Sequence, residues 1–303
     1  MHENSIGLTP ESGANLIRSQ FPKWSDQPLQ WLEVAGTANM IIRIGERFVA
    51  RFPLRFAEPS EVAEVVQYEA KALKELAASV SVSVPSVVAL GKPGLDYPLP
   101  WSVQTWISGQ VATPTNVATS QRFTDDLAVL INELRQTDTQ DRQFSGNGRG
   151  GELKAHDEWM DTCFHKSQEL LDVPLLRRLW HRFRELPHEY PDAMTHGDLI
   201  PGNILLDKGR LSGLLDGGGF GPADPALDLV SAWHLLDKPL RARLRTSLNC
   251  SDLEWQRGAA WAFQQAMGLV WYYCDSHPTM RDLGLRSLHR IQSDEAICGS
   301  PLP

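Results

Sequence analysis

Three polar side chains in the second half of the sequence have the types and the spacing that phosphoryl transfer requires. Asp198 follows His196 and Gly197, Asn203 comes shortly after it, and Asp216 closes the series. A carboxylate in a loop can orient a hydroxyl group and accept its proton, and we assign this role to Asp198. The oxygen atoms of Asn203 and Asp216 suit Mg²⁺, which prefers oxygen ligands. One base and two metal ligands around a single point would equip a site for phosphoryl transfer.

The sequence between the two metal-ligand candidates predicts a β-hairpin. Apolar runs at 204–206 and 211–215 flank the polar, glycine-containing turn 207–210. A turn of this kind between two apolar runs is typical of antiparallel strands. Because a hairpin folds its own ends together, we expect Asn203 and Asp216 to lie side by side.

The order His-x-Asp-Leu-x-x-x-Asn, followed by an aspartate after the next strands, resembles the catalytic and metal-binding loops of protein kinases. The middle glycine of 196–198 and the segment Gly-Pro-Ala-Asp-Pro-Ala-Leu-Asp-Leu at 221–229 are similar to the aminoglycoside phosphotransferase family, which includes the macrolide phosphotransferases. The resemblance implies an α+β, protein-kinase-like fold of two lobes. It also implies that Asp198 is the catalytic residue and that Asn203 and Asp216 hold Mg²⁺.

The same resemblance implies supporting roles for residues around the catalytic loop. Asp228 would accept hydrogen bonds from the backbone of this loop and hold Asp198 in place, with His196 as a second structural support. Asp224 precedes a proline and is expected to cap the helix predicted at 227–236.

We expect residues 1–107 to form a small, β-rich, nucleotide-binding lobe. Strands are predicted at 31–34, 40–44 and 48–52, joined as an antiparallel meander. In kinases the first turn of this meander covers the nucleotide phosphates. Here the resemblance assigns that contact to Gly36 and Asn39, although the full glycine-rich motif is absent.

The third strand carries Arg51 where a kinase has lysine, and a guanidinium can still hold phosphate oxygens. On the helix predicted at 59–78, Val65 and Glu69 fall on the apolar stripe. Burying an unpaired carboxylate there would cost free energy. We therefore predict that Glu69 forms an ion pair with Arg51. The strand predicted at 101–107 ends where kinases join their lobes. The resemblance places the purine edge of ATP or GTP, with no preference between them, against the backbone of Thr105, Trp106, Ile107 and Ser108.

The remaining residues, 108–303, are expected to form a larger helical lobe, with helices predicted at 119–137, 153–186 and 252–275. The glycine-rich segment 138–151 is interpreted as a mobile loop and not as a phosphate cradle, because no strand precedes it. It either is a plain connector, which we favour, or flanks a substrate cleft. Trp261 and Phe263 lie on different faces of the last helix, so either one face lines a substrate pocket or the aromatic residues are core. Three glycines at 217–219 replace the aromatic residue and single glycine of the family and are expected to leave Asp216 mobile.

Composition narrows the class of protein. The chain has 303 residues, a formal net charge of −8 and no basic block, which argues against nucleic acid as a partner. No apolar run has the length of a membrane helix, and the N-terminal residues lack the apolar region of a signal peptide. The four cysteines show neither metal-ligand nor disulfide spacing, and we expect reduced thiols in a cytoplasmic protein.

The sequence therefore predicts a kinase that transfers the γ-phosphoryl group of ATP or GTP, with Mg²⁺, to a hydroxyl of a small molecule. An antibiotic is the first candidate acceptor, and its phosphorylation would confer resistance. A polycationic aminoglycoside would use acidic residues, for which Asp157, Glu158, Asp161 and Asp275 are candidates, whereas a macrolide would suit the tryptophan-rich helices. The alternatives are a sugar or amino-alcohol kinase and a nucleotide-binding pseudokinase with a regulatory role.

Overall fold

The computed structural model describes residues 6–32, 39–55 and 57–298. The chain divides into two compact units, one formed by Met1–Ala78 with Ser83–Ser108 and the other by Ser79–Val82 with Gly109–Pro303. The first unit is a sheet with two helices and the second is mainly helical. The predicted α+β class is confirmed.

The first unit contains a five-stranded antiparallel sheet in the order β1-β2-β3-β5-β4. Its helices and strands are α1 (Pro10–Gln20), β1 (Leu29–Leu32), β2 (Asn39–Ile44), β3 (Phe48–Pro53), α2 (Pro59–Ser79), β4 (Val87–Gly91) and β5 (Trp101–Thr105). The alternation of apolar residues along β2 buries Met40, Ile42 and Ile44 on one face. The predicted meander of the first three strands is therefore confirmed, and the turn that contains Gly36 lies outside the described residues.

The apolar stripe of α2 is narrower than predicted. Val62, Val66 and Leu73 are buried, but Val65 is 64% exposed. The buried positions follow one another at intervals of three, four or seven residues, which keeps them on one helical face. Val65 lies about 100° around the helix from Val66 and points outside that face.

The second unit combines helices with two short antiparallel sheets, β10-β7 and β6-β8-β9. Its strands are β6 (Gln110–Val111), β7 (Ala193–Thr195), β8 (Ile204–Asp207), β9 (Arg210–Leu214) and β10 (Gly221–Ala223). Its helices are α3 (Pro114–Val117), α4 (Gln121–Gln136), α5 (Asp157–Lys166), α6 (Val173–Phe183), α7 (Val230–Leu235), α8 (Lys238–Ser247), α9 (Asp252–Tyr272), α10 (Pro278–Gln292) and α11 (Glu295–Cys298).

Helix α9 is buried on nearly all sides, which resolves the question of its aromatic faces. Trp261 and Phe263 are both fully buried. Phe263 stacks on Trp180 with ring centroids 6.3 Å apart, and Trp261 lies edge-on to His156 at 5.2 Å. Because neighbouring elements cover several faces of α9, both aromatic residues belong to the core.

A buried ion pair connects α9 to the loops of the second unit. Arg257 Nε donates to Asp224 Oδ2 at 2.8 Å, and neither side chain is exposed to solvent. Arg257 also donates to the carbonyl oxygens of Leu186 at 2.8 Å and Gly151 at 3.0 Å. One guanidinium therefore joins three separate segments of chain. The predicted capping of the following helix by Asp224 is wrong, because Ala226 is the N-cap of Leu227–Leu229 and no side chain caps it. Asp224 Oδ1 instead accepts from Ala226 N at 2.9 Å, ahead of the helix.

The structure bears on two further predictions, those about membrane helices and about the cysteines. In the part of the chain that the structure describes, none of the helices has the length and apolar character needed to span a bilayer. The four cysteines are free thiols, three of them buried, as predicted.

Replacing Arg257 with leucine should strongly destabilise the second unit, because Asp224 would keep a buried charge without its partner. We expect a loss of about 3–5 kcal/mol in the free energy of unfolding, measured by urea denaturation.

The matched control is Arg177→Leu, because Arg177 contacts Asp161 at 2.5 Å in a pair that is largely exposed. Its loss should cost less than about 1 kcal/mol. Equal, small losses in both variants would contradict the anchoring role of Arg257.

Candidate active site

Two antiparallel strand pairs enclose the loops that carry the candidate residues. β7 pairs with β10, so that Thr195 lies opposite Gly221. The predicted hairpin is confirmed, since β8 and β9 pair antiparallel with Asp207 opposite Arg210. At the open end of this hairpin, Leu215 N donates to Asn203 O at 2.8 Å. The strands therefore bring the segments around His196, Asn203 and Asp216 to one end of the sheets.

The backbone at the start of the candidate catalytic loop is held by a buried carboxylate. Asp228 is 2% exposed, and its Oδ2 accepts from His196 N at 2.8 Å. Its Oδ1 accepts from Gly197 N at 3.3 Å. These are the backbone contacts that the family resemblance implied. Burial raises the pKa of Asp228, while the two N–H donors and nearby His196 act in the opposite direction.

The His196 side chain connects this loop to the end of the hairpin. Its Nε2 lies 3.0 Å from Leu215 O, and because a carbonyl oxygen only accepts, Nε2 carries the hydrogen. Gly197 follows with a φ of +80°, and a Cβ on it would lie 3.2 Å from Gly219 O. Both the left-handed backbone and this close approach favour glycine between His196 and Asp198.

Asp198 is fixed by nitrogen donors on both of its carboxylate oxygens. Oδ1 accepts from Arg149 Nη2 at 2.6 Å and from Gln265 Nε2 at 3.2 Å. Oδ2 accepts from Asn203 Nδ2 at 3.2 Å. The Asp198 side chain is nevertheless 40% exposed. It is therefore an oriented carboxylate that remains open to a ligand.

The residues predicted to bind metal offer oxygen atoms. Asn203 Nδ2 donates to Asp198 O at 2.9 Å as well as to Oδ2, which leaves Asn203 Oδ1 as an acceptor. Asp216 adopts a left-handed conformation with a φ of 53°, which aspartate tolerates better than bulkier residues. An amide oxygen and a carboxylate fit Mg²⁺. Within the described ranges, no cluster of three or more His, Cys, Asp or Glu side chains is arranged to hold a metal.

The glycines after Asp216 form a short 3₁₀ turn, Gly217–Gly219. Phe220 N donates to Gly217 O at 3.1 Å and closes this turn. The Phe220 side chain is buried and anchors its end. The mobility of Asp216 stays a prediction.

Arg149 is a site residue that the sequence analysis missed, and the interpretation of 138–151 as a plain connector is wrong. The loop ends at two anchored carbonyls: Gly150 O accepts from Asp224 N at 2.7 Å, and Gly151 O accepts from Arg257. Gly148 and Gly150 have positive φ angles of 76° and 118°. A single arginine between two glycines, in a loop that needs left-handed backbone, was the available signal.

Gln265 was also missed, together with two residues behind it. Gln265 Oε1 lies 3.0 Å from His234 Nε2, and His234 Nδ1 lies 2.7 Å from Ser287 Oγ. Because Gln265 donates to Asp198 through its nitrogen, its oxygen accepts, and His234 Nε2 carries a hydrogen. Burial lowers the pKa of His234 to about 4. The sequence offered no signal, since these residues come from three different helices.

In the first unit, the Arg51–Glu69 ion pair stays a prediction, and Glu69 has a further partner in the sheet. Glu69 Oε1 accepts from Gln104 Nε2 at 3.1 Å. Gln104 lies on β5, next to β3 in the sheet, and is 1% exposed. The buried amide therefore needs this carboxylate. Arg51 lies on β3 opposite Ile41 of β2, close in the ladder to the pair that contains Asn39.

The predicted purine contacts are partly occupied by the protein itself. Strand β5 ends at Thr105, and Thr105 N donates to Ser86 O at 2.9 Å. Trp106 N donates to Arg47 O at 2.8 Å. These two N–H groups are already bonded within the protein, so they are not free to donate to a purine, and the contact of the backbone at 105–108 with a purine stays a prediction.

Comparison with known proteins identifies relatives over much of the chain. The model of the phosphotransferase enzyme family matches residues 35–261. The uncharacterized protein YcbJ of Bacillus subtilis (strain 168) is 29% identical over 168 residues, which are 52% of this chain and 48% of that protein. An aminoglycoside 3'-phosphotransferase of Escherichia coli is 36% identical over 62 residues, or 20% of this chain and 23% of the relative. The chain thus spans less than half the length of both curated relatives.

Solved structures match nearly the whole chain at lower identity. The GDP complex of wild-type aminoglycoside 2'-phosphotransferase-IIIa has a TM-score of 0.68 at 20% identity, over 93% of this chain and 98% of that one. Macrolide 2'-phosphotransferase type I has a TM-score of 0.62 at 16% identity, over 94% and 98%. At these identities the likeness establishes the fold.

The buried His234 should make stability depend on pH. Its ordinary pKa is near 6.5, and its folded-state pKa is about 4, so between these values the unfolded chain binds more protons. The contribution of the neutral imidazole is complete above about pH 6.5 and is lost as pH falls toward about 4, on the order of 3 kcal/mol. Urea unfolding of wild type and His234→Gln at several pH values measures it.

We expect the glutamine variant to have a shallower decline than wild type across this window. His165→Gln is the control, because His165 is exposed on α5, and it should decline as wild type does. If the free energy of unfolding of all three proteins fell in parallel as the pH is lowered, the result would contradict a neutral, buried His234.

Proposed function

The chain belongs to the phosphotransferase enzyme family, and from this premise we propose that it transfers the γ-phosphoryl group of a nucleoside triphosphate to a hydroxyl of a small molecule. The observation that carries the proposal is the fixed and open carboxylate of Asp198, bonded to Asn203 in a loop held by Asp228. An exposed carboxylate held by three donor side chains is arranged to receive a hydroxyl group.

In the proposed reaction, Asp198 accepts or orients the proton of the acceptor hydroxyl. The acceptor oxygen forms a bond to the γ-phosphorus, and the bond from that phosphorus to the β,γ-bridging oxygen breaks. The nucleoside diphosphate leaves with the electron pair of the broken bond. Arg149 and Gln265 hold Asp198 Oδ1, so the hydroxyl meets a carboxylate whose orientation is already fixed.

Asn203 and Asp216 are the residues proposed to hold Mg²⁺, which when bound would neutralise charge on the phosphate oxygens. Asn203 suits this role because its nitrogen is committed to Asp198 and its oxygen is left over. Asn39, Arg51 and the backbone of Thr105, Trp106, Ile107 and Ser108 are proposed to contact ATP or GTP, and Gly36 belongs to the same proposal. Glu69 is assigned to the support of Gln104.

An antibiotic acceptor, inactivated by phosphorylation, is the candidate suggested by the relatives. A run of aromatic rings favours an acceptor with an apolar body. Trp159 is 39% exposed and Tyr272 is 40% exposed, and Trp271 lies between them, with centroids 5.9 and 5.6 Å from their rings. Trp159 covers Gly268, which lies on α9 about one turn beyond Gln265.

A metabolite kinase is the second candidate, and it is favoured by the charge next to Asp198. The group in contact with the carboxylate is the cation Arg149, which does not suit a polycationic aminoglycoside. The pseudokinase alternative is weakened by the ordered contacts of Asp198 and Asn203. We place the activity in the cytoplasm because the four cysteines are free thiols.

Replacing Asp198 with asparagine should lower turnover by roughly 10²–10⁴-fold, because the carboxylate that receives the proton is lost. Mass spectrometry should detect one added phosphoryl group on the acceptor in a panel of aminoglycosides, macrolides and hydroxylated metabolites. Each compound is tested with ATP and with GTP, in the presence of Mg²⁺.

Asp125→Asn is the matched control, since Asp125 also accepts from an arginine, Arg243, at 2.7 Å but is not among the proposed site residues. This variant should keep wild-type turnover. Unchanged turnover in Asp198→Asn would remove Asp198 from the mechanism. Nucleotide binding without Mg²⁺-dependent turnover in the wild type would support the pseudokinase instead.

A further inference from the structure

The acidic residues that could have formed a site for a polycation are already bonded within the protein. Both oxygens of Asp157 accept from Arg184 Nε at 2.9 Å. Asp161 accepts from Arg177 Nη1 at 2.5 Å, and Asp275 accepts from Cys274 Sγ at 3.1 Å. Three of the four candidate carboxylates are therefore occupied by neighbouring side chains.

The charged group that meets Asp198 is a cation with spare donors. Arg149 uses Nη2 on Asp198 Oδ1, and its side chain is 27% exposed. A guanidinium has five N–H donors. The other N–H groups of Arg149 have no protein partner among the residues that the structure describes. They form part of a planar fork that suits a carboxylate.

The backbone of the loop around Arg149 is held by contacts with the rest of the second unit. A Cβ on Gly150 would lie 2.6 Å from the Cβ of Ala223, and the carbonyls of Gly150 and Gly151 are bonded as described above. This backbone has little freedom to withdraw. The guanidinium is therefore held in position beside Asp198.

Apart from Asp198, which contacts Nη2, the polar side chains found beside Arg149 are neutral. Burial, and then the charge of Arg149, lower the pKa of His156, so the imidazole is neutral near pH 7. Gln264 Nε2 lies 3.4 Å from His156 Nδ1. Gln264 Oε1 is a buried acceptor that lacks a partner among the described residues.

We propose that the acceptor of this enzyme carries a carboxylate close to the hydroxyl that is phosphorylated, and that the guanidinium of Arg149 binds this carboxylate. The proposal rests on the proposed function of the Asp198 site and names the chemical class of its substrate. At the N–H groups of Arg149 that do not contact Asp198, an ammonium group would lie closer to the like charge of the guanidinium than to the Asp198 carboxylate, whereas a carboxylate would gain a charge-assisted hydrogen bond. Arg149 is thus the residue that determines specificity.

The test uses three polyols with the same carbon chain and a different end group. Gluconate ends in a carboxylate, sorbitol in a neutral hydroxymethyl group, and glucamine in an ammonium group. Binding to the full chain, without nucleotide or metal, is measured by saturation-transfer NMR at low ionic strength. We expect gluconate to bind about tenfold more tightly than glucamine, with sorbitol between them.

Arg149→Gln should remove this order, and Arg149→Lys should retain part of it as a point charge. Arg177→Gln is the matched control, because it removes an arginine bonded to an aspartate outside the site, and it should behave as wild type. Equal signals from the three polyols, no signal from any of them, or tighter binding of glucamine would overturn the proposal.

Kinetics provide a second arm on any acceptor that the wild type phosphorylates. For a hydroxy acid, Arg149→Gln should raise KM by about tenfold or more, whereas for a neutral acceptor it should leave KM nearly unchanged. Because Arg149 also holds Asp198, kcat should fall by a similar factor for both acceptors. An equal fall of kcat for all acceptors, with KM unchanged, would assign Arg149 to the transferred phosphoryl group and overturn the proposal. The binding order of the polyols does not depend on catalysis, so it tests the carboxylate site alone. Failure of the proposed function would be seen in a different measurement, as turnover that Asp198→Asn leaves unchanged.

Discussion

The buried carboxylate of Asp228 is the constraint on which the geometry of the site depends. It accepts hydrogen bonds from two successive backbone N–H groups, those of His196 and Gly197. A carboxylate taken out of water needs such donors, and these donors need an acceptor, so each group fixes the other. The next residue along the chain is Asp198, whose direction follows from a backbone that cannot rotate at the two preceding positions.

The segment 221–229 holds the second unit together through two acids with different tasks. Asp228 holds the catalytic loop, and Asp224 binds Arg257, which in turn bonds to the carbonyls of the loops at 151 and 186. The loop that ends at 151 carries the guanidinium that reaches Asp198. Both acids therefore contribute to the same carboxylate, one through the backbone before it and the other through the loop that presents its cationic neighbour.

The sequence was most informative where function depends on local spacing. The hairpin between Asn203 and Asp216 could be predicted because it follows from residues at short, fixed intervals, and the contact of Asp228 with the catalytic loop could be expected because the family resemblance implied it. Arg149 and Gln265 could not, since their contacts with Asp198 join residues 49 and 67 positions apart in the chain. The contact of Glu69 with Gln104 could not be predicted for a related reason: helical periodicity located the face of Glu69, but not the buried amide on β5 from which it accepts.

The central claim is that the Asp228 carboxylate immobilises the backbone that precedes Asp198. The most direct measurement is amide hydrogen exchange at His196 and Gly197, followed by NMR in the wild type and in Asp228→Asn. The account predicts slow exchange of both amides in the wild type and much faster exchange in the variant, while the amides of helix α9 stay protected in both. Equal protection of His196 and Gly197 in the two proteins would contradict it.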